Sequence, residues 1–176
     1  MIVNCHGEDY SIEPLIFSTA NLKMFWDRAR KFPILFGNEL SDDFTKFLNL
    51  FLGMTEEGSV FPKGLFWRID KADYPMVGAF YMTDIEMPVQ ATVHFSFFDG
   101  RVRKRLPLAR KMLKYAFNEL GINKVNAQMP VYVRPSSINF IKALGFVEEG
   151  KTRKTSFYNG EYYDTYLFGI LQDEVL

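Results

Sequence analysis

The segment PLARKMLKYAFNELGINKVNAQMP, residues 107–130, decides the fold. Over residues 107–120, Leu108, Ala109, Met112, Leu113, Ala116, Phe117 and Leu120 fall on one stripe, and Arg110, Lys111, Lys114, Asn118 and Glu119 on the opposite face. That spacing predicts an amphipathic helix. Pro107 sits where a first-turn proline is tolerated, and Gly121 is a natural left-handed stop. KVNAQMP, 124–130, then reads as a strand. QATVHFSFF, 90–98, precedes the helix and reads as another. A helix joining two strands of one sheet predicts a right-handed crossover, with the strand at 124–130 parallel to the one at 91–98.

Working outward, GLFWRID (64–70), MVGAFYM (76–82) and QATVHFSFF form an antiparallel meander, with turns at DYP and TDIEMPV. In its last strand Val93, Phe95 and Phe97 share one face, and Thr92, His94, Ser96 and Phe98 the other. Downstream, SSINFIKAL (136–144) reads as a short helix capped by Ser136 or Ser137 and closed by Gly145. KTRKTSFY and EYYDTYLFGIL flank Asn159-Gly160, the strongest short hairpin signal. Near the amino terminus, Tyr10, Ile12, Leu15 and Phe17 are core candidates. Ser18 or Thr19 opens a helix running to about Lys31, which Pro33 ends. Ser41 caps a second helix, SDDFTKFLNLFLGM (41–54), with Asp42 and Asp43 in its first turn. This order of elements predicts an α+β domain with a mixed sheet, spanning 1–176 as one unit.

Composition excludes several classes. The 176 residues are 48% hydrophobic and 24% charged, which excludes disorder and fibrous repeats. Aromatics make up 16%, with 18 Phe, and their first reading is a large core. Lys plus Arg is 21 and Asp plus Glu is 21, so net charge is zero, which argues against nucleic acid as the main partner. Cys5 is the only cysteine, so no intrachain disulfide forms. With His6 and His94 as the only histidines, no metal site is expected. There is no secretory signal and no apolar run of membrane-spanning length, so the expected location is the cytoplasm, without a membrane partner.

Three stretches carry a family resemblance: KYAFNELGINKVNA (114–127), SSINFIKALGFVEEGKTRK (136–154) and NGEYYDTYLFGIL (159–171). The sharpest piece is Leu144-Gly145-Phe146, followed by Glu149-Gly150, Arg153, Gly160, Tyr162, Asp164 and Tyr166. Together they resemble the GNAT superfamily of N-acetyltransferases, in the branch that acetylates ribosomal-protein amino termini. The resemblance implies a mixed, mostly antiparallel sheet flanked by helices, acetyl-CoA as co-substrate, and a protein amino terminus or small amine as acceptor. One departure stands out. Where the family has a glycine-rich acetyl-CoA loop, this chain has DGRVRKRLP, 99–107, with Lys104 and Leu106 in place of small residues. Similar glycine-poor loops occur in GNAT-like proteins of tailed phages.

Acetyl transfer needs a neutral amine, a polarised thioester and a proton for the leaving thiolate. A lysine side chain is roughly 4.6 kcal/mol from its neutral form at pH 7, an α-amine only about 1 kcal/mol. His94 has the pKa suited to a base, with Asp84 and Glu86 as further candidates. The tyrosine that the family often supplies as acid falls here at Ile141, which leaves Ser137 and Tyr132. The resemblance places acetyl-CoA against Phe97, Phe98, Arg101, Val102, Arg103, Lys104, Arg105, Arg134 and Ser137. Arg101, Arg103, Lys104 and Arg105 crowd the start of a helix, where cations are disfavoured unless an anion binds. A solvated charge run and a catalytically degenerate binding or structural protein on the same fold are the alternatives. The sequence leaves the acceptor and the oligomeric state open.

Overall fold

The computed structural model describes residues 2–5, 8–36, 42–100 and 102–175. They group into two compact units, residues 1–83 with 95–103 and residues 84–94 with 104–176. The class is α+β, with mixed and mostly antiparallel strand pairing and helices on the strands.

In the first unit, β1 (Ile2–Cys5), β2 (Glu8–Pro14), β5 (Leu65–Lys71) and β6 (Tyr74–Glu86) pair antiparallel in that order. β3 (Leu52–Met54) and β4 (Val60–Pro62) form a separate two-stranded sheet. The strand β6 runs on through Glu86, so the TDIEMPV connection is shorter than its sequence suggests. Helix α1 (Thr19–Ala29) starts at Ser18, whose Oγ accepts the Asn21 N–H. Pro33 does not simply end it: a proline fits the first position of a helix, and here it opens the short α2 (Pro33–Phe36).

The second expected helix is corrected at both ends. Ser41 lies outside the described residues, and α3 (Phe44–Phe51) is capped by Asp43 instead, whose Oδ1 accepts the N–H groups of Thr45 and Lys46. The helix stops at Leu52, because Gly53 pairs with Phe61 in the β3–β4 ladder. A Cβ on Gly53 would lie 2.5 Å from the Phe61 ring.

The aromatic excess fills the core of this unit. Phe25, Phe47, Phe51, Phe66, Tyr81 and Phe98 form one buried cluster. Phe25 sits 5.3 Å from Phe51, Phe51 sits 5.2 Å from Phe66, and Phe66 stacks on Tyr81 at 5.3 Å. Tilted, edge-on and stacked ring pairs of this kind add about 0.5–1.5 kcal/mol each beyond the area they bury.

The second unit holds the crossover. β7 (Gln90–Phe97), which also enters the first unit, is followed by α4 (Arg105–Asn118) and β8 (Lys124–Pro130). The two strands pair in parallel, Gln90 with Lys124, Ala91 with Val125 and Thr92 with Asn126. α4 begins at Arg105, two residues earlier than the proline suggests, and buries Leu108, Ala109, Met112, Leu113, Ala116 and Phe117. Leu144 and Phe146 are buried as well.

α5 (Pro135–Ala143) likewise starts early. Arg134 occupies the capping position with no side-chain cap, and Pro135 is the first helical residue, so Ser136 and Ser137 lie inside the first turn. β9 (Val147–Tyr158) and β10 (Glu161–Leu171) form the hairpin, and β10 also pairs with β8. Asn159 and Gly160 have φ of 50° and 82°, as a two-residue turn that follows the strand twist requires.

Candidate active site

Strand alternation gives the β7–β8 region two unlike faces. One carries Ala91, Val93, Val125 and Ala127, all buried, continued on β10 by Phe168 and Ile170. The other carries Gln90, Thr92 and His94 on β7, and Asn126 and Gln128 on β8. The candidate chemistry lies on this polar face.

His94 is half-buried on β7. Burial disfavours the imidazolium and pushes its pKa down to about 4, against an opposing pull from Asp84. The ring is therefore neutral at pH 7 and can accept a proton, but only as a weak base. Glu86 is exposed at the end of β6, and its Oε2 accepts the Gln90 Nε2–H at 3.2 Å. Gln90 Oε1 in turn accepts the Asn126 Nδ2–H at 3.0 Å. This chain of side-chain bonds is invisible in sequence, because its members come from three strands.

Ser137 is half-buried, and its backbone N–H donates to Arg134 O at 2.9 Å. Arg134 is exposed just before α5. The family's tyrosine position, Ile141, is buried and carries no proton donor. Tyr132 is half-buried, stacked on Tyr158 at 4.7 Å and edge-on to Tyr163 at 5.1 Å. Burial, and then Tyr158, push its phenol above the usual value, so it stays protonated.

The loop residues separate by unit. In the first, Phe97 is half-buried, while Phe98 is buried with its ring 5.9 Å from Phe25 and its N–H bonded to Val77 O. Val102 is buried, and its N–H donates to Asp99 O at 3.1 Å, closing a turn. Arg103 is exposed and acts electrostatically on Glu8. Arg101 lies outside the described residues. In the second, Lys104 occupies the capping position of α4 without a side-chain cap, and Arg105 is the first helical residue. No acidic residue stands in the first turn. The amino end of α4 therefore combines the positive end of the helix dipole with two cations and no side-chain cap, an arrangement that would suit an anion.

The motif residues at 160–166 serve the hairpin. Asp164 Oδ1 accepts the Lys154 N–H at 3.1 Å, and Oδ2 pairs with Lys151 at 3.1 Å. These contacts, the Lys154 bond first, hold its carboxyl below the usual range. Lys154 has φ 56° in a bulge where the register jumps from Tyr163–Ser156 to Thr165–Thr152. Asp164 thus holds a bend that the motif spacing alone does not explain.

The family model described as an acetyltransferase (GNAT) domain matches residues 45–167. A prophage-derived, uncharacterized N-acetyltransferase of Bacillus subtilis, YokL, is 40% identical over 63 residues, 36% of this chain and 35% of that protein. The match thus spans about a third of that curated relative's length. Among solved structures, a Vibrio cholerae spermidine N-acetyltransferase SpeG chimera with hSSAT superposes with a TM-score of 0.74, at 19% identity, over 93% of this chain and 96% of the other. The Vibrio cholerae spermidine N-acetyltransferase in complex with CoA and spermine gives 0.70, at 17% identity, over 94% and 96%. At these identities the likeness is one of fold.

Proposed function

Because the chain belongs to the GNAT acetyltransferase family, we propose that it transfers an acetyl group from acetyl-CoA to a primary amine. The observation that carries the reading is the amino end of α4, which has no side-chain cap and no acidic residue and carries Lys104 and Arg105. The helix dipole and the cationic side chains can hold the CoA phosphates without a glycine cradle. In this reading Lys104 and Arg105 hold phosphate, and Ser137 and Arg134 flank the bound co-substrate.

The amine nitrogen attacks the thioester carbonyl, an amide bond forms, and the C–S bond breaks. The amine's proton leaves through a weak base, His94 or Glu86, and the thiolate takes a proton from Tyr132, Ser137 or water. No group strong enough to deprotonate a lysine ammonium stands on the polar face, so the acceptor enters neutral. An α-amine or a small amine fits. The polyamine named for the structural neighbours supports a small amine, which, being about as basic as a lysine side chain, would also have to enter in its neutral fraction.

Turnover should therefore rise with pH as the acceptor deprotonates. No His94 inflection should appear between pH 6 and 8, since the imidazole stays neutral there. Calorimetry with CoA and dephospho-CoA, together with thiol release on peptides with free or blocked amino termini, tests the reading. No CoA binding at millimolar concentration overturns it. Faster turnover on internal lysines of blocked peptides overturns the acceptor class.

A second reading, a GNAT-fold binding protein without catalysis, is favoured by the buried Ile141 at the acid position and by the glycine-poor loop. CoA binding without thiol release would select it.

A further inference from the structure

The rungs of parallel pairing between β7 and β8 end at Thr92–Asn126, while β7 itself continues through His94 to Phe97. Below these rungs the two segments are tied firmly: Asn123 N–H donates to Pro88 O at 2.8 Å, and Lys124 N–H to Val89 O at 3.0 Å. Asn126 is thus the last residue of β8 that pairs with β7, while β8 goes on pairing with β10. The Asn126 side chain reaches back diagonally to Gln90, donating Nδ2–H to Oε1 at 3.0 Å. Gln90 then donates Nε2–H to Glu86 at 3.2 Å. Both amides are half-buried, where such bonds hold better than in open water.

Alternation puts Gln90, Thr92 and His94 on one face, so the Gln90–Asn126 bond lies on His94's side of the strands. His94 is the first residue of that face beyond the last rung. A side-chain bond at this place braces the rungs on which His94 depends for its position, and the same glutamine orients the Glu86 carboxylate. Backbone pairing alone does not supply this. A parallel ladder of three rungs has slanted bonds and is weaker per residue than an antiparallel one.

We propose that Gln90 and Asn126 are positioning residues: a polar clamp that fixes the point where β7 and β8 part, and with it His94 and Glu86. The consequence for turnover rests on the acetyl-transfer reading; the clamp itself does not.

The test uses the full chain in four forms: parent, Gln90→Met, Asn126→Leu, and the double variant Gln90→Asn with Asn126→Gln. The two single variants keep volume and lose the bond. The double variant exchanges the amides and keeps their combined length. Backbone hydrogen exchange at 91–94 and 125–128 should quicken in both single variants and return toward parent in the exchanged pair. With acetyl-CoA, kcat/KM should fall about three- to tenfold in Asn126→Leu, as expected for one lost hydrogen bond, at least as far in Gln90→Met, which loses two, and recover in the exchanged pair.

Unchanged exchange in both single variants overturns the clamp. So does an exchanged pair that behaves no better than the singles, because loss of packing is not repaired by restoring an amide pair. If the parent neither binds CoA nor transfers acetyl while exchange responds as described, the clamp stands and the acetyl-transfer reading falls.

Discussion

Helices α3 and α4 begin in opposite ways. α3 opens on Asp43, whose carboxylate accepts two of the helix's own N–H groups. α4 opens on Lys104 with no side-chain bond, and continues with Arg105. The first end is closed by its own sequence, with negative charge where the dipole favours it. The second has no side-chain cap and places positive charge where the dipole disfavours it. An anion bound at the second end, as proposed above, would turn that local penalty into attraction.

Four measurements break or sharpen this contrast. The largest effect should come from the body of α4 rather than its end. Leu113 is fully buried, and Leu113→Ala should cost about 2–5 kcal/mol by denaturant unfolding. A loss under 1 kcal/mol would mean that α4 does not anchor its unit.

Next in size is the acid response of His94. Its folded pKa lies below the ordinary 6.5, so the unfolded chain binds the proton more readily. The associated stability is complete above pH 6.5 and is lost as pH falls from there through about 4, by roughly 3 kcal/mol. His94→Gln should flatten that part of the stability profile. Equal acid sensitivity in parent and variant would place His94 in a more solvated setting than the structure shows.

Arg105→Ala should weaken CoA binding by roughly 1.5–3 kcal/mol if its contact is a charge-assisted hydrogen bond, and added salt should shrink the difference. The melting temperature should hold or rise, because a cation leaves the positive end of a helix. Unchanged CoA affinity would remove the role proposed for the cations at this end.

The smallest effect belongs to the closed end. Asp43→Ala should cost about 1 kcal/mol of stability and leave CoA affinity untouched. A change in CoA affinity there would erase the distinction between the two helix ends.

Local signals carried much of the fold. The stripe from Leu108 to Phe117 predicts α4 because burial recurs at helical spacing. Asn159-Gly160 predicts the hairpin because its residues tolerate the positive φ of the turn. The motif from Leu144 to Tyr166 carries the family resemblance. Helix starts were less legible. Pro135 moved the start of α5 ahead of both serines, and Asp43 took the cap because its carboxylate reaches two N–H groups. Glu86 could be named from sequence as a carboxylate near a turn, but its link through Gln90 to Asn126 could not.

The order of side chains by itself determined the α+β class, the parallel crossover, the apolar face of α4 and the charge at its start. These follow from spacing along one chain: periodicity, turn residues and the sequence adjacency of cations. Only the tertiary structure decided that His94 is held neutral, that Asp164 holds a bulge, and that Gln90 bridges Glu86 and Asn126. Each depends on groups distant in sequence meeting at hydrogen-bond range or sharing a desolvated site. A pKa or a cross-strand bond is set by those neighbours, and no local pattern specifies them.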